Sequence, residues 1–379
     1  MDNFGVSLNK ERKKIMSEFY IRRQQYSLEQ IKELTQMGFC LKNIKNMPPK
    51  LYKYFPNIIS PDTGINYSQE ALINNTVYLQ NPALFDDPYD CTILANEQDF
   101  YIKRITYYAK RCGINVQPEW DYNEIVYKLS VYLYEGSQKG KSLDELFLVD
   151  SENDKMSQLR LKVFIQKIVI GMNSEFKEFT DAWQRSFYKA IHSEYIDDVQ
   201  NSLKIFRISC FAESPYSILM WSHYANCHKG FCIEYEIPQY SESNQLLFHN
   251  LYPVIYSDVR ISVLESCLKY LKLPKITDEI LWDIYKYGLL MKSIDWKYQN
   301  EWRLIFPNNM ILNNNCQFFK VNKVYLGNKM SSNDRWKLIE ICNRKGIPYG
   351  GVNISQEKYK MEDCTQLCEN CPQIACMPN

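Results

Sequence analysis

Gln299, Glu301 and Arg303 are the residues whose types and spacing best suit chemistry, alternating within Tyr298-Gln299-Asn300-Glu301-Trp302-Arg303-Leu304. If residues 299–306 are extended, these three side chains and Ile305 share one face, and Trp302, Leu304 and Phe306 line the other. The apolar face belongs to a core. On the opposite face alternate residues sit about 7 Å apart, close enough for an amide, a carboxylate and a guanidinium to meet one small ligand. A carboxylate so placed can bond a ribose hydroxyl and stabilise the positive charge that develops as a glycosidic bond breaks. The competing reading is an exposed Glu301–Arg303 ion pair, worth at most about 1 kcal/mol.

Other candidates lie far off in the chain. Lys53 and Tyr54 fall in a short strand pattern, where the ammonium offers a point charge to a phosphate. In Asp86-Asp87-Pro88-Tyr89-Asp90, the carboxylates of Asp87 and Asp90 suit either a turn or a ligand contact. Trp221, His223 and Tyr224 follow Pro215 in a short helix, where they either line a cleft or close a core. Gly230 precedes a strand and allows close backbone approach. Near the end, Cys364, Cys368, Cys371 and Cys376 present four thiols spaced for sulfur-loving Zn²⁺ or an iron–sulfur cluster.

The elements that must position these groups alternate in type. Residues 8–38 read as helical, with Ser27 and Gln30 spaced as a capping box and Gly38 as a stop, before Pro48 and Pro49 forbid continuation. Strand patterns fall at 51–54, 77–79, 205–211, 231–235, 252–256, 301–306 and 318–326. Helical patterns fall near 68, 216–225, 260–270, 277–292 and 332–344, and a long helical insertion spans about 97–200. The fold class expected is α+β, a mixed or antiparallel sheet core with that insertion. The divisions are N-terminal helices over 1–47, a main domain over 48–355 and a Cys-rich tail over 356–379.

With 379 residues, 45% of them apolar, the chain can bury a large core. Lys and Arg number 45 against 44 Asp and Glu, so a net charge of +1 gives no general pull towards nucleic acid or anionic membrane, which weighs against a nucleic-acid hydrolase. No apolar run approaches the roughly 20 residues that span a bilayer, and the opening residues lack a secretory pattern. A cytoplasmic protein with no membrane partner is expected, its thirteen cysteines reduced.

Four stretches in order, LYKYF at 51, VYLQNPALFDDPYDC at 77, ISCFAESPYSILMWSHYANCHKGFCIEYE at 208 and KSIDWKYQNEWRLIFP at 292, resemble the bacterial family known as domain of unknown function 2971. Two positions depart from its wording: Asp86 stands for an Asn, and Gln299 for a Glu. Some relatives open in a way that resembles ADP-ribosyltransferase-like folds, which hold NAD with a His or Arg on the first strand and a late catalytic Glu. The corresponding positions here are Lys53, Tyr78 to Gln80 and Glu301, and Gln299-x-Glu301 is similar to the paired motif of mono-ADP-ribosyltransferases. This likeness implies NAD as substrate, with Glu301, Gln299 and Arg303 catalytic and Lys53, Tyr54, Tyr78, Asp87, Asp90, Trp221, His223 and Tyr224 around the nucleotide. It implies ADP-ribosyl transfer to a protein or nucleic-acid acceptor, or NAD cleavage. The alternative is a non-catalytic nucleotide-sensing or interaction protein in bacterial defence.

Overall fold

A computed structural model describes residues 18–36, 47–141, 145, 181–196, 199, 201–266, 278–311, 313–355 and 357–364. The first described segment differs from the helix expected over 8–38. Strands β1 (Phe19–Ile21) and β2 (Gln24–Tyr26) form a hairpin, and helix α1 (Leu28–Leu34) follows. The capping box at Ser27 and Gln30 is present in both directions. The hairpin wins because Phe19 and Ile21 alternate into the core, a period-2 pattern. Gly38 lies outside the described residues.

After these come β3 (Lys50–Phe55), α2 (Tyr67–Asn74) and β4 (Thr76–Tyr78). The helical insertion follows as α3 (Glu97–Arg111), α4 (Tyr122–Gln138) and α5 (Asp181–Tyr195). These pack through Phe100, Ile105, Val126, Leu129, Phe187 and Ile191, in one core with Phe19 and Ile255. The chain continues through β5 (Phe206–Phe211), α6 (Ile218–Tyr224), β6 (Phe231–Glu236), α7 (Gln245–His249), β7 (Leu251–Pro253) and β8 (Ile255–Ser257). Then come α8 (Asp278–Leu290), β9 (Met291–Ser293), β10 (Trp302–Pro307), β11 (Asn315–Gln317), β12 (Val321–Leu326), α9 (Ser332–Lys345), β13 (Tyr349–Ile354) and β14 (Met361–Asp363).

The strands form two mixed sheets, ordered β14-β13-β12-β6-β3 and β2-β1-β8-β9, and an antiparallel one, β5-β10-β7, with β11-β4 as a ribbon. Pairs β12–β13 and β8–β9 are parallel and the other pairs antiparallel. The architecture is α+β.

Several expected boundaries move, each for a physical reason. The strand read over 252–256 splits between two sheets at Val254, whose N–H donates to the Glu301 carbonyl at 2.9 Å. The helix expected over 277–292 ends at Leu290, and Met291–Ser293 pairs in parallel with β8, which places Lys292 on a strand. Of the helix expected over 260–270, residues 264–266 are helical and 267–277 lie outside the described residues. Within the stretch read as a tail, β14 pairs with β13 and buries Met361. Among the described residues, no helix is long and apolar enough to cross a membrane.

Strand β10 separates two cores. Trp302, Leu304 and Phe306 enter the one beneath the five-stranded sheet and α9, with Ile233, Val324 and Leu338. Ile305 enters the one that holds the helical insertion. The expected two-faced strand is present, and its polar face is the one that carries the site.

Candidate functional site

Glu301 and Arg303 are buried, not an exposed pair, with 4% and 0% of their surface accessible. Arg303 lies opposite Cys210 in the β10–β5 ladder. Its Nε donates to Glu301 Oε1 at 2.7 Å, and its Nη2 forks both oxygens of Asp90 at 2.7 and 2.9 Å. Nη1 donates to the Leu289 carbonyl at 2.7 Å and to Cys91 Sγ at 3.2 Å. On the other side, Lys292 Nζ donates to Glu301 Oε2 at 2.7 Å and to Gln299 Oε1 at 2.9 Å, and lies 3.2 Å from Asp90 Oδ2. Two carboxylates and two cations therefore balance in one buried network.

Burial alone would protonate Glu301, but Arg303 and Lys292 overcome it and hold the carboxyl far below its usual range. Burial likewise works against the Lys292 charge, and Glu301 and Asp90 overcome it and raise the ammonium above its ordinary value. Against burial, Arg303 is likewise held above its usual value by Asp90 and Glu301. Such networks cost desolvation, so their retention next to a cavity is a pointer to a functional site.

The Gln299 position corrects the expectation that 299–306 forms one strand. Residues Ile294–Gln299 form a 3-10 helix, and Asn300, left-handed at φ 41°, turns the chain into β10. Gln299 still reaches the network, because the turn brings its amide to Lys292. Its Nε2 donates to the Tyr224 hydroxyl at 2.9 Å. The Glu301 backbone N–H donates to the Tyr256 hydroxyl at 2.8 Å, fixing where the carboxylate begins.

A cleft of about 1120 Å³ opens on this network. Glu301, Gln299, Asp90, Asp87, His223 and Tyr224 line it, as do Lys53, Tyr54 and Tyr78 from the opposite strands. Lys53 Nζ donates to the Cys210 carbonyl at 3.1 Å and sits over the Phe211 ring at 5.3 Å. Burial lowers its pKa, and the neighbouring Cys210 and Glu301 recover part of that. Tyr54 lines the cleft, and its hydroxyl donates to the Ser214 carbonyl at 2.8 Å. Asp87 also makes its expected turn bond, accepting from the Tyr89 N–H at 2.8 Å.

Two expected ligand contacts stand one layer back. Trp221 is fully buried, its Nε1 donating to the Pro215 carbonyl at 2.7 Å and its ring against the edge of Tyr54. A helix of seven residues directs only one side to the cleft, and Trp221 takes the core side. Arg303 is behind Glu301 and does not line the cavity. It meets the cleft lining through the carboxylates of Glu301 and Asp90.

Sequence reasoning passed over Lys292, Cys210, Tyr256 and Trp296. Lys292 had a visible signal, a lone cation directly after Leu289-Leu290-Met291, where a charge needs a buried partner. Tyr256 had none, since its role depends on β8 lying beside Glu301.

Of the four tail thiols, Cys364 is buried and its N–H donates to the Gly351 carbonyl at 3.0 Å, while Cys368, Cys371 and Cys376 lie outside the described residues. Among the described residues, no cluster of three or more His, Cys, Asp or Glu is arranged to hold a metal.

A family comparison picks out the segment that supplies Lys292, Gln299, Glu301 and Arg303. Residues 220–304 match the protein family of unknown function DUF2971. The DUF2971 segment runs from α6 into β10 and contains His223, Tyr224, Tyr256, Lys292, Gln299, Glu301 and Arg303. Lys53, Asp90 and Cys210 come from outside it. No curated protein and no solved structure matches the chain.

Proposed function

We propose that the cleft binds a nucleotide and that the protein is an NAD-utilising enzyme, performing ADP-ribosyl transfer or NAD cleavage with Glu301 as its catalytic carboxylate. The observation that carries this reading is a carboxylate held ionised at the wall of a cavity that also receives Lys53. Arg303 occupies one Glu301 oxygen and Lys292 the other, and a carboxylate has about four acceptor sites, so capacity remains on both oxygens for ribose hydroxyls. An acid kept ionised cannot serve as general acid. It acts by fixed negative charge, which is what an oxocarbenium-like transition state requires. Lys53, whose ammonium bonds a carbonyl rather than a carboxylate, has donors left for a phosphate.

One observation favours a second reading, a nucleotide sensor without chemistry. Lys292 and Arg303 already balance the Glu301 charge, which weakens the field it can offer a developing cation.

Incubation with labelled NAD and a bacterial lysate, following nicotinamide release and label transfer, separates the two. For the enzyme, Glu301→Gln should lower kcat on the order of 10²- to 10³-fold in protein verified as folded. Lys53→Ala should raise KM more than it lowers kcat, because a phosphate contact persists from ground to transition state. Wild-type protein that turns over no NAD, yet melts higher with nucleotide, is the sensor. No turnover and no melting shift removes both readings.

A further inference from the structure

The cleft wall at Tyr224 has a hydrogen-bond polarity set by groups behind it. The Lys292 ammonium carries three hydrogens and no lone pair, and it meets Gln299 Oε1 at 2.9 Å, Glu301 Oε2 at 2.7 Å and Asp90 Oδ2 at 3.2 Å. A group that cannot accept fixes the amide: Gln299 must turn its oxygen to Lys292 and its NH₂ away. That NH₂ donates to the Tyr224 hydroxyl oxygen at 2.9 Å. A hydroxyl has one hydrogen, and with Gln299 donating, the Tyr224 hydrogen must point elsewhere. Tyr224 lines the cleft and is 37% exposed, so the open direction is the cavity.

The same relay ends in an acceptor. Glu301, bonded to the next Lys292 hydrogen, lines the cleft as an ionised carboxylate. The wall therefore offers an O–H donor at Tyr224, with the Glu301 carboxylate three hydrogen bonds away along the relay through Gln299 and Lys292. The balanced charges of Asp90, Glu301, Lys292 and Arg303 give this wall no net attraction for an anion. An uncharged group with an acceptor oxygen fits the Tyr224 donor, and a primary carboxamide is such a group.

We propose, on the nucleotide reading of this cleft, that Tyr224 is a specificity-determining donor, directed by Lys292 through Gln299, whose hydroxyl hydrogen binds a ligand carboxamide oxygen. The nicotinamide ring of NAD carries such a group. Phosphates would fall to Lys53.

Gln299→Glu inverts the relay without touching the tyrosine. A carboxylate at 299 accepts from both Lys292 and Tyr224, so the phenol hydrogen turns away from the cleft. Free nicotinamide, which is uncharged, is titrated against wild type, Tyr224→Phe, Gln299→Glu and the double variant, with AMP as a probe lacking the carboxamide. Each single variant should weaken nicotinamide binding roughly tenfold, the worth of one hydrogen bond, and the double no further. AMP should bind wild type and Tyr224→Phe alike. If Gln299→Glu keeps wild-type nicotinamide affinity, or Tyr224→Phe does, the donor assignment is overturned. Wild type that binds AMP but not nicotinamide overturns the carboxamide while sparing the nucleotide reading. Nicotinamide binding that depends on Tyr224 and Gln299, with no AMP binding, supports the donor and counts against the nucleotide.

Discussion

Replacing Lys292 with methionine removes one charge from a balanced buried network while nearly keeping the side-chain volume. Asp90 and Glu301 then face Arg303 alone, one negative charge in excess at a place where Glu301 has 4% of its surface accessible. Taking one partner from a buried pair typically costs about 3–5 kcal/mol, because the other charge is left desolvated. Adding Glu301→Gln restores balance, with Asp90 against Arg303, so the double variant should be more stable than Lys292→Met alone. The coupling across the cycle should reach at least about 1.5 kcal/mol. An internal comparison sets the scale: Lys103 pairs with Glu265 at the surface, their side chains 42% and 80% accessible. Lys103→Met should cost under about 1 kcal/mol. Urea unfolding followed by circular dichroism and tryptophan fluorescence measures all four variants. If Lys292→Met costs no more than Lys103→Met, or the double variant is merely additive, the network is not the coupled unit described above.

Two further outcomes follow from the loop between α6 and β6. His228 is buried, stacked on Trp221 with centroids 6.4 Å apart, and burial, then Lys329, holds its pKa below the ordinary value. A folded state that binds this proton less readily keeps its full stability above the unfolded histidine pKa of about 6.5 and loses it as pH falls through the folded value. The urea midpoint should therefore drop from pH 7.5 to 5, and drop less in His228→Gln; equal slopes would exclude His228 as the source. Gly230→Ala would place a Cβ 2.0 Å from the Phe55 carbonyl oxygen, and Gly327→Ala one 2.2 Å from the His228 carbonyl oxygen. Both contacts are backbone, so either variant should lose more than about 3 kcal/mol or fail to accumulate as soluble protein, and a near-normal melting temperature would refute the close approach.

The amino-acid sequence by itself determined what depends on near neighbours. Alternation placed Trp302, Leu304 and Phe306 in a core and Glu301 beside Arg303, the Ser27–Gln30 spacing capped α1, and helical periodicity set the insertion. Gly230 read as a point of close approach, and the approaching group is the Phe55 carbonyl. The hairpin at 19–26 was missed because a six-residue alternation competes poorly with a helical pattern on either side; its pairing to β8, over 200 residues away, decides it. Tertiary structure alone decided the charge balance of the site. Asp90, Lys292 and Arg303 meet only because β9 and β10 bring their residues to the turn after β4, and without that meeting a lysine after three apolar residues has no assigned partner. It also decided which of Trp221 and Tyr224 sees the cleft, since both lie on one short helix and only the surrounding layers distinguish its core side from its open side. Local propensity has a range of a few residues, whereas the free energy of a buried charge depends on every group that replaces its water.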